Sequence, residues 1–342
     1  MQNKTQMAAE FHETPAILRG HAQGLSHPLA KLVTALRRRP PQVVVTCARG
    51  SSAHAATFGK HLIERHLGIP VSALAPNIAT VYGQRLHLDG QLFLAISQAG
   101  RSEDIVESVI MARESGALTA AVVNDTDSPL AKSCDIILPM MAGPELSVAA
   151  TKTFVSSLAA LLRLVGLWTS DTAMQGGLDR LPDRLALATE LDWSAALPAF
   201  SAATNLMSLG RGPTLAVARE AALKLKETCG IHAEAFSGAE FQHGPITLME
   251  QDYPTILFLP TDAAADGLKA LATDLKRKGA AVFVAGSYVG MSNTLPTLAP
   301  DHPDADAICL VQSFYRLVIQ VAQRRGNNVD CPPHLQKVTR TR

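Results

Sequence analysis

The sequence predicts an α/β protein in which parallel sheets are covered by helices, and it predicts two copies of that plan. Three observations carry this. Short apolar runs bounded by polar residues recur along the chain, as strands buried on both faces do. Amphipathic helical patterns separate them, and strand–helix alternation of this kind argues for a parallel sheet. The two halves of the 342 residues can also be laid over one another.

The first-half strands are read in "QVVVTCA" from Gln42, "LFLAIS" from Leu92, "LTAAVVN" from Leu118 and "DIILPM" from Asp135. Helical patterns lie between them, such as "SAHAATFGKHLIERHLG" and "IVESVIMARESG". In the latter, Ile105, Val106, Val109, Ile110 and Met111 alternate with charges as on an amphipathic helix. "TFVSSLAALLRLVGLW" is the most apolar long stretch; with two serines and Arg163 it is too short to span a bilayer comfortably and reads as a core helix.

The second half repeats the plan in "TNLMSLGRG" from Thr204, "TILFLPT" from Thr255 and "GAAVFVAG" from Gly279. "CARGSSAHAA" at Cys47 overlies "LGRGPTLAVA" at Leu209, with an Arg-Gly at the same place in each. "LFLAIS" overlies "ILFLPT", and "GALTAAVV" at Gly116 overlies "GAAVFVAG"; a shared offset of about 163 residues over three strands indicates duplication. The expected organisation is an N-terminal helical segment over 1–40, a first domain over 41–185 and a second over 196–342. The joint falls in the polar, Pro- and Gly-containing region from Ser170 to Pro198.

Composition narrows the partners. With 31 basic and 30 acidic residues, nothing electrostatic favours nucleic acid or a membrane surface. The five cysteines, at 47, 134, 229, 309 and 331, are scattered and form no CxxC pair. Neither a disulfide framework nor a zinc site follows, and a reducing cytoplasm fits better. The N-terminal "MQNKTQMAAEF" lacks the basic-then-apolar pattern of a signal peptide. The expectation is a soluble, cytoplasmic, globular protein.

Two strand-to-helix turns are candidate binding elements. After Leu92–Ile96 the chain turns abruptly polar in "SQAGRSED" before the helix. Such a turn aims backbone N–H groups and hydroxyls at one point beside the positive end of a helix dipole, which suits a phosphate. The plainer reading is that Ser102 caps the helix while Glu103 and Asp104 suit its first turn. The first strand ends likewise in Gly50, Ser51 and Ser52. Two such turns on adjacent parallel strands face one crevice at the carboxyl ends, where open α/β sheets bind ligands. The second-half counterpart of "SQAGRSED" is "PTDAAADG", which lacks the Ser-Gln. The asymmetry suggests that one half holds a phosphate and the other supplies chemistry.

The segment "GRGPTLAVAREAALKLKETCGIHAEAFSGAEFQHGP" is the densest polar stretch. Gly210-x-Gly212 lacks the third glycine of a dinucleotide fingerprint, and no P-loop Lys-Ser/Thr follows. Glu220, Lys224 and Glu227 fall on or near one helix face, where a solvated ion-pair surface is the ordinary outcome. His232, Glu234, Glu240 and His243 follow after short spacers, yet no HExxH or comparable metal-ligand spacing occurs, so no metal is expected. His243 in "QHGP" is either a structural histidine or a functional one. The C-terminal "NNVDCPPHLQKVTRTR" is too polar and Pro-broken for a helix; if ordered, with Leu335 and Val338 beside it, Lys337 could enter a pocket and act as a nucleophile.

These motifs together resemble a tandem pair of SIS (sugar isomerase) domains over nearly the whole chain, arranged as in the isomerase half of glutamine–fructose-6-phosphate aminotransferases. The resemblance rests on "ISQAGRSED", on "ELSVAATKTF" at Glu145, and on "AALKLKETCGIHAEAF" with "EFQHGP". It implies two doubly wound, flavodoxin-like three-layer α/β/α domains. No glutaminase-like segment or N-terminal cysteine nucleophile is seen among the roughly forty residues before the first domain. The ending "HLQKVTRT" looks more like the SIS-type glucosamine-6-phosphate deaminases.

The resemblance also implies roles. Ser52, Ser97, Gln98 and Ser102, with Gly50 and Ser51 beside them, match phosphate-binding positions, and Val148 and Ala149 match the lining of the sugar site. Glu227 matches the base that moves a proton between C1 and C2, and Lys224 a pocket lysine near it. His243 matches the ring-opening histidine, and Lys337 the lysine that condenses with the sugar carbonyl. Ala99 stands where the family pattern has a phosphate-binding serine, and Arg101 where it has an acidic residue.

The expected enzyme is thus an amino-sugar phosphate deaminase and isomerase that takes glucosamine 6-phosphate and water to fructose 6-phosphate and ammonia. Neither a cofactor nor a metal is implied. Galactosamine 6-phosphate or a fructosamine 6-phosphate are alternative substrates, and a sugar-phosphate-binding regulator without turnover is an alternative of another class. A regulator's attached DNA-binding domain has neither room nor charge in the N-terminal segment. By family analogy a homodimer is expected, binding a small-molecule sugar phosphate.

Overall fold

The structure is a computed structural model that describes residues 5–288 and 291–337. The chain begins with α1 (Gln6–Arg38), β1 (Val44–Ala48), α2 (Gly50–Leu67), β2 (Val71–Ala73), α3 (Asn77–Thr80), β3 (Leu92–Ser97) and α4 (Glu103–Glu114). It continues through β4 (Leu118–Val123), α5 (Pro129–Ser133), β5 (Ile136–Pro139), α6 (Lys152–Thr169), α7 (Thr172–Glu190) and α8 (Leu197–Ala202). The remainder is β6 (Asn205–Gly210), α9 (Thr214–Cys229), β7 (His232–Ser237), β8 (Pro254–Phe258), α10 (Ala265–Arg277), β9 (Ala281–Ala285), β10 (Thr294–Leu295) and α11 (Pro303–Arg324).

Two compact units result. The β1–β5 unit comprises Ala16–Glu145, Lys152–Asp179 and Gln336–Arg342; the β6–β10 unit comprises Met1–Pro15, Leu146–Thr151 and Arg180–Leu335. Each holds one five-stranded sheet, ordered β2-β1-β3-β4-β5 in the first and β7-β6-β8-β9-β10 in the second. All pairings are parallel. The two orders are the same topology, as duplication predicts.

In the β1–β5 unit the chain leaves β1 toward β2 on one side and leaves β3 toward β4 on the other. The turns after β1 and β3 therefore flank a topological switch point, where open α/β sheets take ligands. All six residues of β3 are buried, which is why that strand reads as an unbroken apolar run. On one face of the sheet Val45, Phe93, Ala95 and Ala121 pack with Ile105, Val109, Ala112 and Leu130. Elsewhere in the unit α2 packs on α6, and α6 is buried almost throughout, as its composition requires. The second core places Leu209, Leu257 and Val284 against Leu268, Leu271 and Leu275 of α10. Among the described helices only α11 is long and apolar enough to cross a membrane, and 89% of its apolar window is buried inside the protein.

Every strand read from the sequence is present. Three were not read: β2, β7 and β10. β2 and β10 have only three and two residues. β7 pairs with β6 alone and leaves His232 and Glu234 exposed, so no apolar run marks it. The Ser170–Pro198 joint, expected from its polar residues, is largely helix α7 with Pro182 inside it.

Candidate active site

The switch point of the β1–β5 unit gathers the expected phosphate-binding residues. β1 and β3 pair through to Ala48 opposite Ile96, so both following turns emerge side by side. Gly50 has φ +54° and Gly100 φ +62°, the left-handed region that favours glycine. At Gly100 an added Cβ would lie 2.2 Å from Ser128 Oγ, so the turn closes only without a side chain there. The Gly100 N–H donates to Ser97 Oγ at 3.1 Å, while the Gln98 and Gly100 carbonyls accept from Asn124 and Leu130 N–H.

Ser102 sits at the N-cap of α4, but its side chain makes no capping hydrogen bond. Among the described residues the side chains of Ser52, Gln98 and Ser102 have no hydrogen-bond partner. Three uncommitted polar side chains thus stand beside the N-termini of α2 and α4, an arrangement whose chemistry suits an anion. The sequence reading missed the strap across this crevice. Arg49, at the N-cap of α2, directs both Nε (2.6 Å) and Nη2 onto Oδ2 of Asp104, in the first turn of α4.

In the β6–β10 unit, α9 places three charges together. Lys224 Nζ lies 3.2 Å from Glu220 Oε1 and 2.6 Å from Glu227 Oε2. The side chains of Glu220 and Lys224 are 0% and 1% exposed, so this face is no solvated ion-pair surface. Burial alone would lower the pKa of Lys224; Glu220 and then Glu227 outweigh it and hold the ammonium above the ordinary lysine value. Glu227 is 20% exposed, with Oε2 held by Lys224 and Oε1 bonded to nothing among the described residues. The helix ends at Gly230, φ +64°, which turns the chain into β7.

Val148 and Ala149 lie in the same unit, on the 146–151 segment. That segment is held by acids the sequence did not single out. Glu10, fully buried on α1, accepts from Leu146 N–H, from Ser147 N–H at 3.2 Å and from the Ser147 hydroxyl. The Val148 N–H donates to the Asp330 carbonyl at 3.4 Å. The Asp330 carboxylate in turn accepts from Gln6 and Met7 N–H at the start of α1, each at 2.8 Å.

Lys337 belongs to the β1–β5 unit, where its Nζ lies 3.5 Å from Oε2 of buried Glu145. Val338, expected beside it, lies outside the described residues. His243 follows a short 3-10 turn over Glu240–Gln242 in the β6–β10 unit. Its ring is exposed and makes no hydrogen bond or ion pair among the described residues. The sites thus fall into two groups. Gly50, Ser51, Ser52, Ser97, Gln98, Ser102 and Lys337 are in one unit; Val148, Ala149, Lys224, Glu227 and His243 are in the other.

Two parallel five-stranded sheets flanked by helices define an α/β class, and comparison with known proteins identifies the family. The model for the SIS domain matches residues 39–166 and 199–288. The chain belongs to the SIS domain family. It is 32% identical over 359 aligned residues to the isomerizing glutamine–fructose-6-phosphate aminotransferase of Symbiobacterium thermophilum, covering 97% of this chain and 58% of that one. The corresponding protein of Pseudomonas syringae pv. tomato is 31% identical over 360 residues, with the same coverage of 97% and 58%. The chain therefore spans less than two thirds of the length of these relatives.

Among solved structures, a provisionally named phosphosugar isomerase from Silicibacter pomeroyi DSS-3 superposes with a TM-score of 0.91 at 42% identity, over 95% of this chain and 100% of that one. The C-terminal domain of glucosamine-fructose-6-phosphate aminotransferase from Francisella tularensis gives 0.86 at 26% identity, over 97% and 99%. Glucosamine-6-phosphate deaminase from Thermotoga maritima shares the fold, with 0.75 at 21% identity over 98% and 100%.

Proposed function

We propose that the protein is a phosphosugar aldose–ketose isomerase that deaminates its substrate, taking glucosamine 6-phosphate and water to fructose 6-phosphate and ammonia. The observation that carries this is the state of Glu227. One carboxylate oxygen is fixed by a buried ammonium and the other is uncommitted and reachable, as a proton-transferring base requires. The hydroxyls and helix N-termini around Ser52, Ser97 and Ser102 supply the phosphate grip.

In this reading His243 assists opening of the pyranose. Glu227 takes the C2 proton, the C2 electron pair forms the C1=C2 bond, and O1 gains a proton. Return of a proton to C1 leaves a C2 imine, to which water adds as ammonia departs. Lys337 condenses with the ketose carbonyl in the reverse direction once its amine has given up its proton. Every step is proton transfer, addition or elimination at carbon. The same analogy makes the working form a homodimer, which sedimentation of the active protein tests.

The test is ammonia release from purified protein with glucosamine, galactosamine and fructosamine 6-phosphates, each beside its unphosphorylated sugar. Release from one of the phosphates alone supports the reading and names the substrate. Binding without release from any of them leaves a sugar-phosphate sensor instead.

A further inference from the structure

We propose that Arg49 is a phosphate-binding residue, and that Asp104 is the positioning residue that aims it across the switch-point crevice. The proposal rests on the phosphosugar reading above and adds a cation to a phosphate grip otherwise made of hydroxyls and backbone.

Arg49 stands on the turn after β1, immediately before Gly50, Ser51 and Ser52. Asp104 stands two residues after Ser102, in the first turn of α4 that follows the turn after β3. Their ion pair therefore spans the point where the two chain connections diverge, between the two turns that carry the anion-binding groups. Asp104 is 1% exposed and its backbone and second oxygen are locally engaged: Oδ1 accepts from Ile105 N–H at 2.9 Å, and its carbonyl accepts from Ser108 Oγ at 2.6 Å. It is a fixed anchor.

Arg49 is different. Its side chain is 47% exposed, and Nε and Nη2 converge on the single oxygen Oδ2. The Nη1 edge has no partner among the described residues. A guanidinium offers five N–H donors in a rigid planar fork, which matches paired oxygens of a carboxylate or a phosphate. Here one edge is spent on fixing direction, and the other is left for a ligand at the N-cap of α2, where the positive end of the helix also favours an anion.

The chemistry also explains a departure from the family pattern. Ala99 removes one hydroxyl from the phosphate loop. Arg101, the cation on that loop, is occupied by Asp125 at 2.8 Å. Arg49 is the cation nearest in sequence to the Ser51–Ser52 turn, and it supplies the charge that a dianionic phosphate monoester calls for.

A purely structural strap and a phosphate ligand make opposite predictions for the double variant Arg49→Met/Asp104→Asn. It removes both charges without leaving a buried carboxylate facing an apolar side chain, so it folds where Arg49→Met alone risks failing. Inorganic phosphate is the probe, read as competition against phosphosugar turnover and by calorimetry on the intact protein, alongside the melting temperature. Hydrogen bonds to charged groups predict a phosphate affinity weakened roughly 10–100-fold in the double variant, with the Michaelis constant raised in parallel and kcat little changed. Arg49→Lys recovers part of the loss, because charge is kept and the fork is not. Asp104→Asn alone gives an intermediate loss. Wild-type phosphate affinity in the folded double variant overturns the assignment and leaves the phosphosugar reading standing. A wild type that handles phosphorylated and unphosphorylated sugars equally removes that underlying reading itself.

Discussion

Lys224 Nζ lies 2.6 Å from Glu227 Oε2, a wholly buried ammonium gripping a carboxylate that is one-fifth exposed. An isolated ammonium in that position would be costly, and Glu220 on the preceding turn supplies the second negative partner. The arrangement is rigid on the inside and open on the outside. Removing Lys224 withdraws the cation from between two acids. Lys224→Met is expected to cost about 3–5 kcal/mol in urea unfolding, as breaking buried pairs does. Adding Glu220→Gln is expected to restore a large part of that loss; a single variant as stable as the wild type would show that the triad is not coupled.

Ser102 separates capping from ligand binding in one variant. A side chain that caps a helix contributes about 1 kcal/mol, which alanine removes. Because the Ser102 hydroxyl makes no cap bond, Ser102→Ala is expected to keep the wild-type melting temperature. Its Michaelis constant for the phosphosugar rises, by roughly tenfold if one charge-assisted hydrogen bond is lost. A lower melting temperature with an unchanged Michaelis constant would return Ser102 to the capping reading.

Acid sensitivity should trace to His21. Burial first, and then the charge of Arg163, push its pKa down from 6.5 to about 4, against the Met140 backbone, which acts the other way. The unfolded ring takes its proton near 6.5 and the native ring only near 4, so the unfolded state binds more protons between those values. The stabilisation is complete above about pH 6.5 and is lost as pH falls toward 4, about 3 kcal/mol in all. His21→Leu should flatten that limb of the stability–pH curve. An unchanged limb would assign acid unfolding to other groups.

Much of this molecule was legible before its structure. Strands such as β3 and β8 announce themselves because parallel strands buried on both faces are apolar throughout. β7 was hidden because an edge strand that exposes His232 and Glu234 carries no such run. At the site, the turns after β1 and β3 and the α9 charges were readable as local patterns. Burial of Lys224 was not, since helical spacing tells which residues share a face and not whether that face meets water. Arg49–Asp104, Glu10–Ser147 and Asp330–Met7 are separated by 55, 137 and 323 residues, and only the tertiary fold makes them neighbours.

Lys337 makes a chemical prediction. With a ketose 6-phosphate present, borohydride should trap a reduced adduct on Lys337, located by mass spectrometry. Lys337→Arg keeps a cation near Glu145 but has no nucleophilic amine, so it should yield none. An adduct that persists in this variant, or one found on a different lysine, would take the condensing role away from Lys337.

The rate of ammonia release by Glu227→Gln tests the enzyme reading most directly. Glutamine keeps the size of the side chain and can still meet Lys224 through its amide oxygen, but that oxygen has no useful basicity at neutral pH. General acid–base contributions of about 10²–10⁴-fold set the expected fall in kcat, with phosphosugar affinity by calorimetry close to wild type. Deamination at the wild-type rate would mean that this carboxylate moves no proton, and that the buried Lys224–Glu227 pair serves the fold alone.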